Sequence, residues 1–118
     1  MRYADPNTDG AKINFKEKYD NFICGQWVAP VKGEYFDNIS PVNGKPFAKV
    51  AKSSPEDIEL ALDAAHTAKT KWNAASPTER SNLLLKIADR LEQNIELLAV
   101  AETWENGKPI RETLAADI

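Results

Sequence analysis

The stretch Glu102-Thr103-Trp104-Glu105-Asn106-Gly107-Lys108-Pro109 decides how the rest of the chain is read. Apolar residues precede it at Leu97, Val100, Ala101 and Trp104, the i, i+3, i+4, i+7 spacing of one buried helical stripe. Asn106-Gly107 tolerates the positive φ that a helix C-terminus commonly needs, and Pro109 cannot continue the same hydrogen-bond ladder. So the stretch ends a helix and turns the chain. Glu102 and Glu105 fall in the last turn, where the helix dipole disfavours negative charge. They read as solvated surface glutamates, with Lys108 or a bound hard cation as groups that would offset them.

Upstream, the helical half continues. Ser54-Pro55-Glu56-Asp57 places Ser at the N-cap, Pro at the first helical position and two acids in the first turn. Its expected buried stripe is Ile58, Ala61, Leu62, Ala65, Ala68 and Trp72. Ser76-Pro77-Thr78-Glu79 repeats the device as a capping box, followed by a stripe of Leu84, Ile87, Ala88, Leu91 and Ile95. Leu85 points off that stripe and asks for a second packing partner. Asn94 is expected to cap the helix that ends in ETWENGKP.

The first half reads as a short β meander. Asn21–Cys24 and Gln26–Val28 are strand formers around Gly25, which predicts a small hairpin. Glu34–Ser40 is a second strand, Pro41-Val42-Asn43-Gly44 a turn with Asn-Gly in the positive-φ slots, and Lys45–Lys52 the returning strand. Residues 1–18, polar and carrying Pro6 and Gly10, read as an extended, poorly anchored arm. Residues 19–118 then form one unit.

Composition narrows the function classes. Of 118 residues, 42% are hydrophobic and 28% charged, which marks a globular chain rather than a disordered one. A formal net charge of −3 lacks the basic footprint of a nucleic-acid binder. No run approaches the ~18 apolar residues of a membrane span, and the N-terminus lacks the apolar core of a signal peptide. A single cysteine forms no internal disulfide, which suits the cytoplasm. Cys24 reads as a packed structural cysteine: it has no helix N-terminus, lysine or histidine beside it in sequence. His66, the only histidine, has no ligand-spaced partner. Trp27, Trp72 and Trp104 read as core anchors. No nucleophile–base pair and no Gly-rich phosphate loop is present, so no catalytic or cofactor-binding residue is assigned. At the far end Ile110, Leu114 and Ile118 recur at helical spacing without a cap, from which the chain is expected to be the front part of a longer protein.

Tyr19-Asp20-Asn21-Phe22-Ile23 with Gly25-Gln26-Trp27, Ser40-Pro41-Val42-Asn43-Gly44, Glu56-Asp57-Ile58 and Glu102 through Pro109 occur in the order and spacing of the NAD(P)-dependent aldehyde dehydrogenases, and nearly the whole chain resembles that superfamily's N-terminal segment. ETWENGKPIRETLAAD, YDNFI and GQWVAPVKGEYF are particularly similar to bacterial members acting on acetaldehyde and other short aliphatic aldehydes. The resemblance implies an α/β fold: the β meander and covering helices of a coenzyme-binding domain, cut before its main Rossmann-type strands. It implies, for the full-length protein, aldehyde oxidation with NAD or NADP through a cysteine thiohemiacetal and thioester, in a homotetramer or homodimer, with every catalytic residue beyond Ile118. It also implies one site here: a monovalent cation, K⁺ or Na⁺, held by Glu105 and the carbonyl of Ile39, with Asn38 beside it. The subgroup usually has glycine where this chain has Cys24. A different reading remains beside it, a freestanding interaction or regulatory module built from the same layer.

Overall fold

The computed structural model describes residues 3–118. Five short strands come first: β1 (Lys18–Tyr19), β2 (Asn21–Ile23), β3 (Gln26–Val28), β4 (Tyr35–Ile39) and β5 (Pro46–Ala51). Helices α1 (Pro55–Ala74), α2 (Pro77–Gln93) and α3 (Ile95–Asn106) follow, then a short α4 (Ile110–Glu112) that runs into a π-wound turn over Thr113–Asp117. The architecture is mixed α/β.

The strands do not form one meander. β4 and β5 pair antiparallel, but β1 joins the other edge of β5 in parallel, giving the order β1-β5-β4. The hairpin β2–β3 is a separate two-stranded sheet. A two-residue hairpin turn of type I′, which matches the strand twist, takes positive φ at both central residues. Gly25 has φ 78° and Cys24 φ 52°, so Cys24 leaves the strand expected for it and occupies the turn. It is exposed, which corrects the packed reading. In the next turn only Gly44 takes positive φ, and Asn43 instead accepts the Lys45 N–H on its side chain.

Residues 3–18 are more firmly held than a loose arm. The Asn7 side chain exchanges two hydrogen bonds with the Phe15 backbone, Phe15 packs on Phe47 with ring centroids 4.7 Å apart, and Lys18 enters the sheet. Farther out, Lys12 and Tyr3 both reach Glu96 at the start of α3.

The helix caps follow the sequence signals, while the buried stripes do not. Ser76 and Glu79 form the expected capping box on α2. Asn94 closes α2 by donating its side chain to the Arg90 carbonyl, and makes no side-chain cap to α3. Of the α1 stripe, Ile58, Leu62 and Trp72 stand exposed, and α2 buries none of its residues. Leu84 (62% exposed) and Leu85 (60%) are equally bare, so the distinction between stripe and off-stripe disappears here. Burial concentrates instead at Ala99 and Val100 of α3, Ala48 of β5, and four polar residues, Ser40, Ser54, Asp57 and Thr113.

Candidate functional site

The corner between the end of β4 and the end of α3 is built from short, specific contacts. Gly107 ends α3 at φ 81°, with its N–H on the Thr103 carbonyl. A Cβ at Gly107 would lie 3.1 Å from the Pro41 ring, so both the backbone conformation and the space demand glycine. Ser40, fully buried, donates its hydroxyl to the Trp104 carbonyl at 2.6 Å and accepts the Val42 N–H at 3.2 Å. One side chain thus satisfies a carbonyl at the α3 C-terminus and fixes the β4–β5 turn.

This corner sets Asn38 against Glu105. The Asn38 amide donates to both carboxylate oxygens of Glu105, at 2.8 and 2.9 Å. Ile39 follows along the strand, at the irregularity in the β4–β5 register, with its side chain exposed. Two of the three sequence-assigned residues are therefore in contact across 67 positions of sequence, and the third is adjacent. Lys108 does not offset Glu105. Its ammonium pairs with Asp117 at 2.8 Å, and that carboxylate raises the Lys108 pKa above the ordinary lysine value. Glu102 accepts from the Asn106 side chain at 2.7 Å. Glu105 therefore faces a neutral amide.

The group a cation would meet at this corner is the Glu105 carboxylate, a hard oxygen ligand. One carboxylate suits a monovalent ion. Among the described residues no cluster of three or more His, Cys, Asp or Glu side chains exists to hold a multiply charged one. His66 lies exposed on α1, away from any such group.

Two residues that close this part of the molecule carry no periodic signal. Thr113, fully buried, has its hydroxyl 3.1 Å from the carbonyl oxygens of both Ala99 and Ile110. With its proton shared there, the Thr103 hydroxyl, 3.2 Å away, is left to donate to it. A polar residue one turn beyond Ile110 on an apolar face was the available clue. Asp57, 3% exposed, accepts from the Ser54 N–H (2.7 Å) and hydroxyl (3.0 Å), the Val31 N–H (2.9 Å) and the Asn21 amide (3.4 Å). It joins the β2–β3 hairpin, the loop after it and α1. These donors, the Ser54 N–H foremost, hold its carboxyl below the usual carboxylate range.

Cys24 is a free, exposed cysteine on the hairpin turn. Among the described residues no helix is long and apolar enough to cross a membrane.

A profile of the aldehyde dehydrogenase family matches residues 27–118. A long-chain-aldehyde dehydrogenase from an Acinetobacter species is 74% identical over 118 residues, which cover 100% of this chain and 24% of that protein. An acetaldehyde dehydrogenase from Pseudomonas aeruginosa is 62% identical over 118 residues, 100% of this chain and 23% of that protein. Among solved structures, an indole-3-acetaldehyde dehydrogenase in complex with NAD⁺ superposes with a TM-score of 0.83 at 40% identity, covering 88% of this chain and 21% of the other. The chain thus spans about a quarter of the length of the relatives it matches. With a family profile running through the Asn38–Glu105 corner to the final residue, the chain belongs to the aldehyde dehydrogenase family.

Proposed function

We propose that a protein carrying this segment at the length of its relatives oxidises an aliphatic aldehyde to the carboxylic acid with a nicotinamide cofactor. The observation that carries this reading is identity of 74% and 62% to a long-chain-aldehyde and an acetaldehyde dehydrogenase. The bound NAD⁺ of the indole-3-acetaldehyde dehydrogenase supports NAD as the cofactor. Short aliphatic aldehydes, acetaldehyde first, are the substrates the motif resemblance favours, and the long-chain relative adds longer ones. The segment contributes scaffold: no described side chain offers an activated nucleophile with a base. Thioester chemistry would fall to residues outside it. The same resemblance suggests a homodimer or homotetramer, and the single cysteine suits the cytoplasm.

The test is reduction of NAD⁺ and NADP⁺, followed by absorbance, by the relative-length protein with aldehydes from two carbons upward. Turnover of aliphatic aldehydes with NAD⁺ is expected. No reduction of either cofactor by any aldehyde would overturn the reading.

Within the segment, the corner of Asn38, Ile39 and Glu105 is proposed to hold K⁺ or Na⁺. The support is a helix-terminal carboxylate left without a cationic partner once Lys108 turns to Asp117. A ligand that binds only the native state stabilises it by RT ln(1 + [L]/Kd). The wild type should therefore melt higher in K⁺ or Na⁺ than in a bulky organic cation at matched ionic strength, and Glu105→Ala should lose the difference. Equal melting of the wild type in all these buffers would remove the cation.

A further inference from the structure

We propose that residues 3–12 form a strap, clasped by Glu96, whose release opens a recess on α3. Tyr3, Ala4 and Asp5 make one wall of a recess of about 270 Å³, and Val100, Thr103, Trp104 and Ile110 make the rest. The strap is anchored at its middle: the Asn7 side chain clasps the Phe15 backbone, the Asn7 N–H reaches the Ile13 carbonyl, Phe15 packs on Phe47, and β1 pairs with β5. On either side of that anchor the strap is held by Glu96. Lys12 Nζ lies 2.6 Å from one Glu96 carboxylate oxygen, and the Tyr3 hydroxyl donates to the other at 3.3 Å. Between them the strap makes its own turns, with the Thr8 N–H on the Asp5 carbonyl and the Ala11 N–H on the Thr8 carbonyl.

One carboxylate therefore gathers both sides of the loop and sets Tyr3–Asp5 over the apolar floor. The Lys12 and Glu96 side chains are 49% and 42% exposed, so solvent and salt weaken their attraction. The clasp is thus a solvent-accessible link, while the floor beneath the strap includes Val100, one of the most buried of the described residues. Release uncovers Trp104 and Val100 without disturbing β4–β5, the behaviour of a local opening.

The intact chain with Trp27→Phe and Trp72→Phe retains Trp104 as its single tryptophan. Acrylamide, a neutral quencher, then reports access to the recess. Glu96→Lys is expected to raise the Trp104 quenching constant about twofold and speed hydrogen exchange at Thr8 and Ala11, with β4–β5 amides unchanged. Glu96→Gln should give a smaller effect of the same sign, since it keeps an acceptor for Tyr3. Combining Glu96→Lys with Lys12→Glu should restore most of the original quenching and exchange, because the ion pair returns while the Tyr3 acceptor does not. Unchanged quenching in both single variants would overturn the strap. So would failure of the charge-swapped pair to restore it, or a parallel loss of protection in β4–β5.

Discussion

The α3–β4 corner and the helices α1 and α2 behave oppositely. At the corner a few small residues do the fixing: Gly107 against Pro41, Ser40 on the Trp104 carbonyl, Thr113 on the Ala99 carbonyl. Glycine makes room for Pro41, and the two hydroxyls bond backbone carbonyls of α3, that of Trp104 in its last turn, where intrahelical partners run out. On α1 and α2 the capping is equally good, yet Ile58, Leu62, Leu84, Leu85 and Leu91 all face solvent. Capping sets where a helix begins. It does not supply a partner for the helix face, and most helix stability in proteins comes from that partner. An apolar stripe is thus a statement about a neighbour, and within the described residues nothing covers these five side chains.

The sharpest way to break the corner is Gly107→Val. A β-branched residue at φ 81°, with its Cβ pressed on Pro41, should cost about 3 kcal/mol from backbone strain and the clash together. Denaturant unfolding would measure it. Thr113→Val keeps the shape and removes the hydroxyl; the buried Ala99 carbonyl and Thr103 hydroxyl then lose a partner, for about 2 kcal/mol.

Asp57 sharpens the comparison through pH. Its pKa in the folded chain lies below the ordinary aspartate value of ~3.9. The stabilisation is therefore complete above that value and drains away as pH falls through the lower, folded pKa. Asp57→Asn should lower the denaturation midpoint at pH 7, and the gap between wild type and variant should close in acid. A gap of constant size from pH 7 to pH 2 would show that the carboxylate charge does not matter. The smallest effect belongs to α2. Leu84→Ser with Leu85→Ser should change the stability of the 118-residue chain by less than about 0.5 kcal/mol, because neither side chain leaves a packed site. A loss of several kcal/mol in denaturant would show that they do pack.

What was legible in the sequence follows the same division. Ser54, Ser76 and Gly107 act locally, and local rules placed the helix ends they define. Hydrophobic period gave the faces of α1 and α2 but carries no information about whether a partner lies within the chain. The hairpin was legible from Gly25, whereas the second left-handed residue, Cys24, was not, because the strand-forming pair Phe22-Ile23 runs straight into it. The parallel pairing of β1 with β5 joins residues 31 apart, Lys18 with Lys49, and no turn rule reaches that far. Ser40, Asp57 and Thr113 are small or polar, so they vanish from an apolar count and are found only through the carbonyls and N–H groups they satisfy. Asn38 and Glu105 are separated by 67 positions, and only family resemblance set them together before the structure did.

Native-state hydrogen exchange of the 118-residue chain, resolved by residue, compares the two regions directly. The account predicts the slowest exchange at the Ser40 and Gly107 amides and through the second half of α3, with α2 amides exchanging close to the rate of an isolated helix. Protection of α2 equal to that of α3 would contradict it, since α2 would then have a packing partner inside the chain.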